Sequence, residues 1–180
     1  MLIRGAFAII FNKKNQVLLI LRDDMPAWNL VGGGVDEGET FEEGLLRETK
    51  EEICVEAKIV RLAGHYNNKD SQNNDVEIKS YVCKIKNKEA KLGNEGVCLQ
   101  YFDLDKLPKN LIPKQRGRIK DAINSNKLVE RIQDEQRAST LLNSLKKEEF
   151  LGWDEWIKHP RVLNQIKNKT IRFDITKFDK

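Results

Sequence analysis

Several common signals are missing from this sequence. Its cysteines are only three, Cys54, Cys83 and Cys98, widely spaced and without a CxxC pair or a Cys/His cluster. That spacing argues against a zinc site. Three scattered thiols fit a reducing cytoplasm, and each is expected to be a small buried hydrophobe. No apolar run approaches the roughly 20 residues needed to span a bilayer, so no membrane partner is expected. The N-terminal stretch carries Arg4 among its apolar residues and ends in a polar turn, unlike a signal peptide. No internal repeat is visible. A strong excess of either charge is also missing, since 32 Lys and Arg stand against 28 Asp and Glu for a net charge of +4. That balance leaves a nucleic-acid partner possible but not favoured.

What is present suits one domain, or one domain with an appendage, in 180 residues that are 39% hydrophobic and 33% charged. The small net charge conceals a segregation. Residues 36–56 hold nine acids and two bases, net −7, so the rest of the chain carries +11. Ile3 to Phe11 and Val17 to Leu21 read as a hairpin around the turn 12–16. Trp28 to Val31 reads as a third strand ending at Gly32-Gly33-Gly34. Thr40 with Glu43 forms a capping box, which predicts a helix over Phe41 to Ile53. Strands are expected over Ala57 to Tyr66, Val76 to Ile85 and Val97 to Phe102. A second helix is expected over Pro113 to Asn124, with proline in its first turn. This order suggests α+β, or a sheet sandwiched between helices.

The first predicted helix concentrates the chemistry. At about 100° per residue, Glu48, Glu51 and Glu52 share an arc of about 100°, while Leu46, Thr49 and Ile53 form a stripe that can face a core. Like charges so close repel. A hard divalent cation, Mg²⁺ or Mn²⁺, prefers such carboxylate oxygens and also binds phosphate. The plain alternative is a solvated acidic face. Just upstream, the three glycines would let backbone approach a ligand closely.

The spacing of these residues carries more weight than any one of them. Gly33, five residues, Glu39, seven residues, then Arg47-Glu48-Thr49-Lys50-Glu51-Glu52-Ile53-Cys54-Val55 resembles the Nudix box. Three positions depart from it. Thr49 fills an aliphatic slot, Val31 stands where a proline often precedes the glycines, and Cys54 replaces the terminal glycine. Cysteine in the left-handed conformation of that glycine would cost on the order of 1 kcal/mol. The resemblance covers roughly residues 2–126. It implies a Nudix-type α/β/α sandwich with a mixed β-sheet, and Mg²⁺-dependent hydrolysis of a diphosphate linkage in a nucleoside diphosphate derivative. By position, Glu48, Glu51, Glu52 and the Gly32 carbonyl would hold the metal. Glu39 and Arg47 would support the loop-helix geometry. The base would be Glu48, Glu52 or a glutamate on a later loop, for which Glu95 is the candidate.

For a small nucleotide substrate, Gly33 and Gly34 offer backbone to the phosphates. Trp28 could stack on a base or serve as a core or rim aromatic. Arg22 and Arg4 could reach phosphates or pair on the surface. The proline, tyrosine and SQPW-type marks of the ADP-ribose, diadenosine-polyphosphate and NADH subtypes are missing near Asp70 to Asn74. A (deoxy)nucleoside triphosphate cleaved to monophosphate and pyrophosphate is the first expectation. The alternatives are a catalytically silent Nudix-fold module binding a nucleotide or ADP-ribose, and an RNA 5′-pyrophosphohydrolase using Lys114, Arg116, Arg118 and Lys120 as a phosphate track. His65 and His159 read as ordinary side chains.

Residues 1–126 are thus expected to form the hydrolase domain, and 127–180 a mostly helical C-terminal extension. In the extension, Leu128, Val129 and Ile132, then Leu141, Leu142 and Leu145, recur at helical spacing. Phe150, Leu151, Trp153, Trp156 and Ile157 form an aromatic cluster, and Ile171 to Ile175 could be a last strand. The extension is expected to pack on the core, with homodimerisation or capping of the substrate as the sharper options.

Overall fold

The computed structural model describes residues 2–70, 72–86, 89–124, 127–133 and 137–178. Strand β1 (Leu2–Ile10) lies inside a five-stranded mixed sheet. It pairs antiparallel with β4 (Val31–Gly34) and parallel with β6 (Asp75–Ile85). Outside β6 lie β5 (Ala57–Lys69), antiparallel to it, and then β8 (Val129–Ile132), parallel to β5. A second sheet joins β3 (Trp28–Asn29), β2 (Val17–Leu21) and β7 (Cys98–Phe102).

The predicted hairpin is therefore corrected. β1 and β2 meet through the bridge between Phe11 and Val17 and then diverge into different sheets. Divergence lets each strand bury both of its faces. β2 is buried at all five positions, which a hairpin with one solvated face would not allow. The glycines likewise do not end the third strand. They lie within β4, and the chain changes sheet at Leu30, between β3 and β4.

Helix α1 (Phe41–Ile53) has the predicted ends. Alternation along β1 sends Ala6, Ala8 and Ile10 toward Phe41, Leu45 and Ile53 of α1, and Ile9 toward the opposite face. Leu45 supplies the buried stripe that the sequence assigned to Leu46, which is exposed. The opposite face is covered by α2 (Pro113–Asn124), through Ile119 and Ala122, and by the C-terminal segment. This is an α+β sandwich, built on a mixed five-stranded sheet and an antiparallel three-stranded one, with helices on both faces.

The C-terminal segment contains α3 (Ala138–Ser144), α4 (Trp153–Lys158) and α5 (Pro160–Lys167). Two expectations fail there. Val129 to Ile132 extends the sheet as β8, since four residues with apolar ends fit a strand as well as a helical turn. Residues 171–174 are irregular, and Ile175–Phe178 is a short 3₁₀ turn, not a strand. Leu142, Leu145, Phe150, Trp153, Trp156, Val162 and Phe173 join Trp28 and Leu21 in one apolar cluster. Of the cysteines only Cys83 is buried. Cys98 is half-buried and Cys54 is exposed, because it closes α1 in the left-handed conformation at φ 55°.

Candidate active site

Three local devices fix α1 at the glycine segment. The Thr40 side chain accepts from the Glu43 N–H, and Glu43 returns to the Thr40 N–H at 2.8 Å. Arg47 donates from Nε and Nη2 to the two Glu39 oxygens at 2.9 and 3.0 Å, and from Nη2 to the Gly34 carbonyl at 3.0 Å. At the other end, the Cys54 N–H donates to the Lys50 carbonyl at 3.1 Å. Glu39 is held down near pKa 2, first by the Arg47 guanidinium and then by the Asp36 N–H. The lock between loop and helix is thus a charged pair with its carboxylate ionised.

The three helix carboxylates do not form the solvated acidic face that was the plain alternative. Glu52 is buried, and its Oε2 accepts from the Gly32 N–H at 2.6 Å. Glu48 is half-buried and accepts from Arg47 Nη1 at 2.9 Å. Glu51 is exposed, with its Oε2 3.4 Å from the same nitrogen. Arg47 therefore bridges Glu48 and Glu51 with positive charge. Burial pushes the Glu52 carboxyl up to about 8 against the pull of the Gly32 N–H, and the charges of Glu48 and Glu95 add to the rise. Burial also raises Glu48, against Arg47, and Glu95 again contributes.

Glu95 thus joins the helix carboxylates from a loop that sequence spacing alone did not connect to them. The loop is stitched to the end of α1. The N–H groups of Lys91, Gly93 and Asn94 donate to the carbonyls of Ile53, Glu52 and Glu51 at 3.0, 2.8 and 3.1 Å. These satisfy acceptors that a helix end otherwise leaves open. A narrow cleft lined by Ile20, Arg22, Asp23, Glu52, Glu95 and Gly96 results. Asp23 is an acid that sequence reasoning missed, because nothing in a strand-end turn distinguishes it.

Gly32 adopts φ 126°, and a Cβ there would lie 2.2 Å from the Ala6 carbonyl oxygen. A Cβ on Gly33 would lie 2.8–3.0 Å from the Glu48 carboxylate. The glycines thus bring strand backbone against two acids, leaving open the cradle a side chain would fill. Gly34 is exposed at the mouth, where its carbonyl is taken by Arg47.

Other candidates fall elsewhere. Trp28 is no stacking surface. It is 1% exposed, donates from Nε1 to the Leu151 carbonyl at 3.0 Å and meets Phe102 edge-on at 4.8 Å. Arg22 lines the cleft but is tied bidentately to Asp24 at 2.7 Å. Arg4 donates to the Glu39 carbonyl at 2.9 Å and covers the Phe41 ring. The basic track is broken, since Arg118 is buried between Gln115 and Gln133 and Lys114 bonds Asn68. His65 pairs with Glu77, and His159 caps α5. The aromatic cluster of the extension packs inward, leaving Leu151 and Leu163 exposed.

Among the described residues, no group of three or more His, Cys, Asp or Glu side chains is gathered to hold a metal ion. The donor chemistry nevertheless fits a hard divalent cation. Glu48, Glu51 and Glu52 offer carboxylate oxygens only, and Glu52 is buried facing like charge that a cation would neutralise. Positive charge is now supplied by Arg47 to Glu48 and Glu51 and by Arg22 to Glu52. No helix among the described residues is long and apolar enough to cross a membrane.

The profile of the NUDIX domain matches residues 1–122. A Bacillus subtilis protein, provisionally named an 8-oxo-dGTP diphosphatase, is 34% identical over 122 residues, covering 67% of this chain and 80% of that one. An ADP-ribose pyrophosphatase of Methanocaldococcus jannaschii is 35% identical over 105 residues, covering 56% of this chain and 62% of that one. A MutT NUDIX hydrolase of Burkholderia pseudomallei superposes with a TM-score of 0.61 at 25% identity, covering 67% of this chain and 98% of the other.

Proposed function

The chain belongs to the NUDIX family and is a Nudix-type pyrophosphohydrolase, and on that premise we propose that its substrate is a (deoxy)nucleoside triphosphate, cleaved to monophosphate and pyrophosphate. The observation that carries the site is the cleft shared by Glu52 and Glu95, with Glu52 bonded to the Gly32 N–H and Glu48 packed against Gly33. The likeness to the Bacillus subtilis protein, which spans most of both chains, supports the triphosphate class.

Glu48, Glu51, Glu52 and the Gly32 carbonyl would hold Mg²⁺ or Mn²⁺. When bound, such an ion neutralises phosphate charge and lowers the pKa of water. Arg47 and Glu39 keep the loop and helix in register. Glu48 is engaged by Arg47 and Glu52 by the Gly32 N–H, whereas Glu95 is exposed on its loop. Glu95 is therefore the proposed base. It takes a proton from the attacking water as the new P–O bond forms and the bond to pyrophosphate breaks. We assign these groups to a hydrolase domain of residues 1–126 and take 127–180 as the extension, whose described helices pack on Trp28 and β2.

The test is a phosphate- and pyrophosphate-release screen with Mg²⁺. It covers nucleoside triphosphates, 8-oxo-dGTP, ADP-ribose, dinucleoside polyphosphates, nucleotide sugars and triphosphorylated RNA. The highest kcat/KM is expected for a triphosphate, with pyrophosphate as product. A higher value for ADP-ribose or RNA would replace the substrate class. No turnover of any of them, with binding retained, would make the chain a silent nucleotide-binding module.

A further inference from the structure

The C-terminal extension reaches the cleft at two places: Arg172 approaches Asp24, at 3.5 Å from its carboxylate, and Arg161 reaches the loop that carries Glu95. Arg161, the second residue of α5, donates from Nη1 to the Gly96 carbonyl at 2.9 Å and from Nη2 to the Gly93 carbonyl at 2.6 Å. Those two carbonyls flank Glu95 along the chain. The other face of the loop is fastened by the Gly93 and Asn94 N–H groups to the end of α1, and by the Val97 N–H to the Leu21 carbonyl at 2.7 Å. Glu95 is the exposed apex of a segment held on both sides.

Nothing local accounts for an arginine at this place. A cation in the first turn of a helix faces the positive end of the helix dipole, which disfavours it. The start of α5 is served instead by Pro160 and by His159, whose Nδ1 accepts from the Arg161 N–H at 3.3 Å. A planar guanidinium grips two carbonyls at once in a fixed geometry, whereas a lysine ammonium is a single flexible point. Hydrogen bonds from a charged donor are also the stronger kind.

We propose that Arg161 is a positioning residue for hydrolysis: it clamps the Gly93 and Gly96 carbonyls so that Glu95 is presented to Glu48 and Glu52. This rests on the reading of Glu95 as the base. Arg161 does not touch the substrate. It acts on the rate through a loop 65 residues away in sequence.

The test uses the full chain, with Arg161→Met, Arg161→Lys, Glu95→Gln and the Arg161→Met/Glu95→Gln double variant. Arg161→Met is expected to lower kcat about 10- to 100-fold with KM changed less than about twofold, as misplacement of one reacting group does. Arg161→Lys is expected to restore part of the loss. The double variant is expected to be no slower than Glu95→Gln alone, since both changes remove the same function. Amide exchange measured on metal-free protein is expected to quicken at residues 91–97 in Arg161→Met and not elsewhere. Wild-type kcat in Arg161→Met would overturn the proposal. So would losses that multiply with Glu95→Gln, or a change confined to KM. If Arg161→Met does not fold, Arg161→Lys is read on the same criteria. If the wild type hydrolyses nothing, the functional reading fails by itself, and unchanged exchange at 91–97 then overturns the clamp.

Discussion

Helix α1 and the C-terminal extension are held in different ways. The start of α1 is fixed by partners close in sequence, a capping box three residues apart and Arg47 on Glu39 and Gly34, and only its end is tied to a distant loop, at residues 91–94. Its outward surface is acid, and its chemistry is written in one short stretch. The extension is fixed by partners far away. Leu151 receives the Trp28 indole N–H, the Arg172 N–H donates to the Asp24 carbonyl at 2.8 Å, and Arg161 grips the Glu95 loop. Its interior is a cluster of rings, with Phe150, Trp153, Phe173 and Phe178 meeting mostly edge to face. The proposed metal ligands come from the local motif, whereas the proposed base, Glu95, comes from a loop that the extension helps to hold.

If that division is right, the largest effect separates rate from stability. Glu52→Gln is expected to cut turnover on the order of 10³-fold, by steady-state pyrophosphate release, while leaving the melting temperature unlowered. Wild-type rates in that variant would remove Glu52 from the chemistry. The converse substitution lies in the extension. Trp156 is fully buried, and Trp156→Ala is expected to cost about 3–5 kcal/mol in urea unfolding. A loss below about 1 kcal/mol would make the extension a loosely attached appendage and break the comparison.

A third effect sits within α1. An unfolded glutamate titrates near 4.5 and folded Glu52 near 8. Between those values the folded chain keeps a proton that the unfolded chain has lost. Stability of the metal-free protein therefore falls as pH rises from 5 to 8, by up to about 1.4 kcal/mol per unit. Unfolding in EDTA across that range should show the slope in the wild type and a flatter one in Glu52→Gln. Equal slopes would assign the effect to other groups. The smallest effect concerns the helix end. Cys54 holds a left-handed conformation at φ 55°, and Cys54→Gly is expected to gain at most about 1 kcal/mol in thermal melting.

Legibility in the sequence followed the same divide. Thr40 and Glu43 mark the start of α1, and Pro113 the start of α2, because caps and prolines act within a turn. The hairpin was misjudged because the turn 12–16 is local, whereas the choice of partner for β1 and β2 depends on β4, β6 and β7. Helical geometry placed Glu52 on one arc with Glu48 and Glu51, but its burial required the β4 backbone opposite. For Trp28 the sequence leaves stacking, core and rim open, because the apolar residues that bury it in the core come from a segment more than 100 residues later. Arg161 left no trace, since a side chain reaching carbonyls 65 and 68 residues away produces no periodicity.

The bond from the Trp28 indole to Leu151 also has a bearing on synthesis. Its partners are 123 residues apart. At roughly 5–20 residues per second of translation, the indole waits about 6–25 s before its acceptor is made. Throughout that interval the nascent chain carries a large aromatic surface that its finished sheet is meant to hide. On that order of emergence, Trp28 and β2 are fully covered only after residues 142–173 have been made.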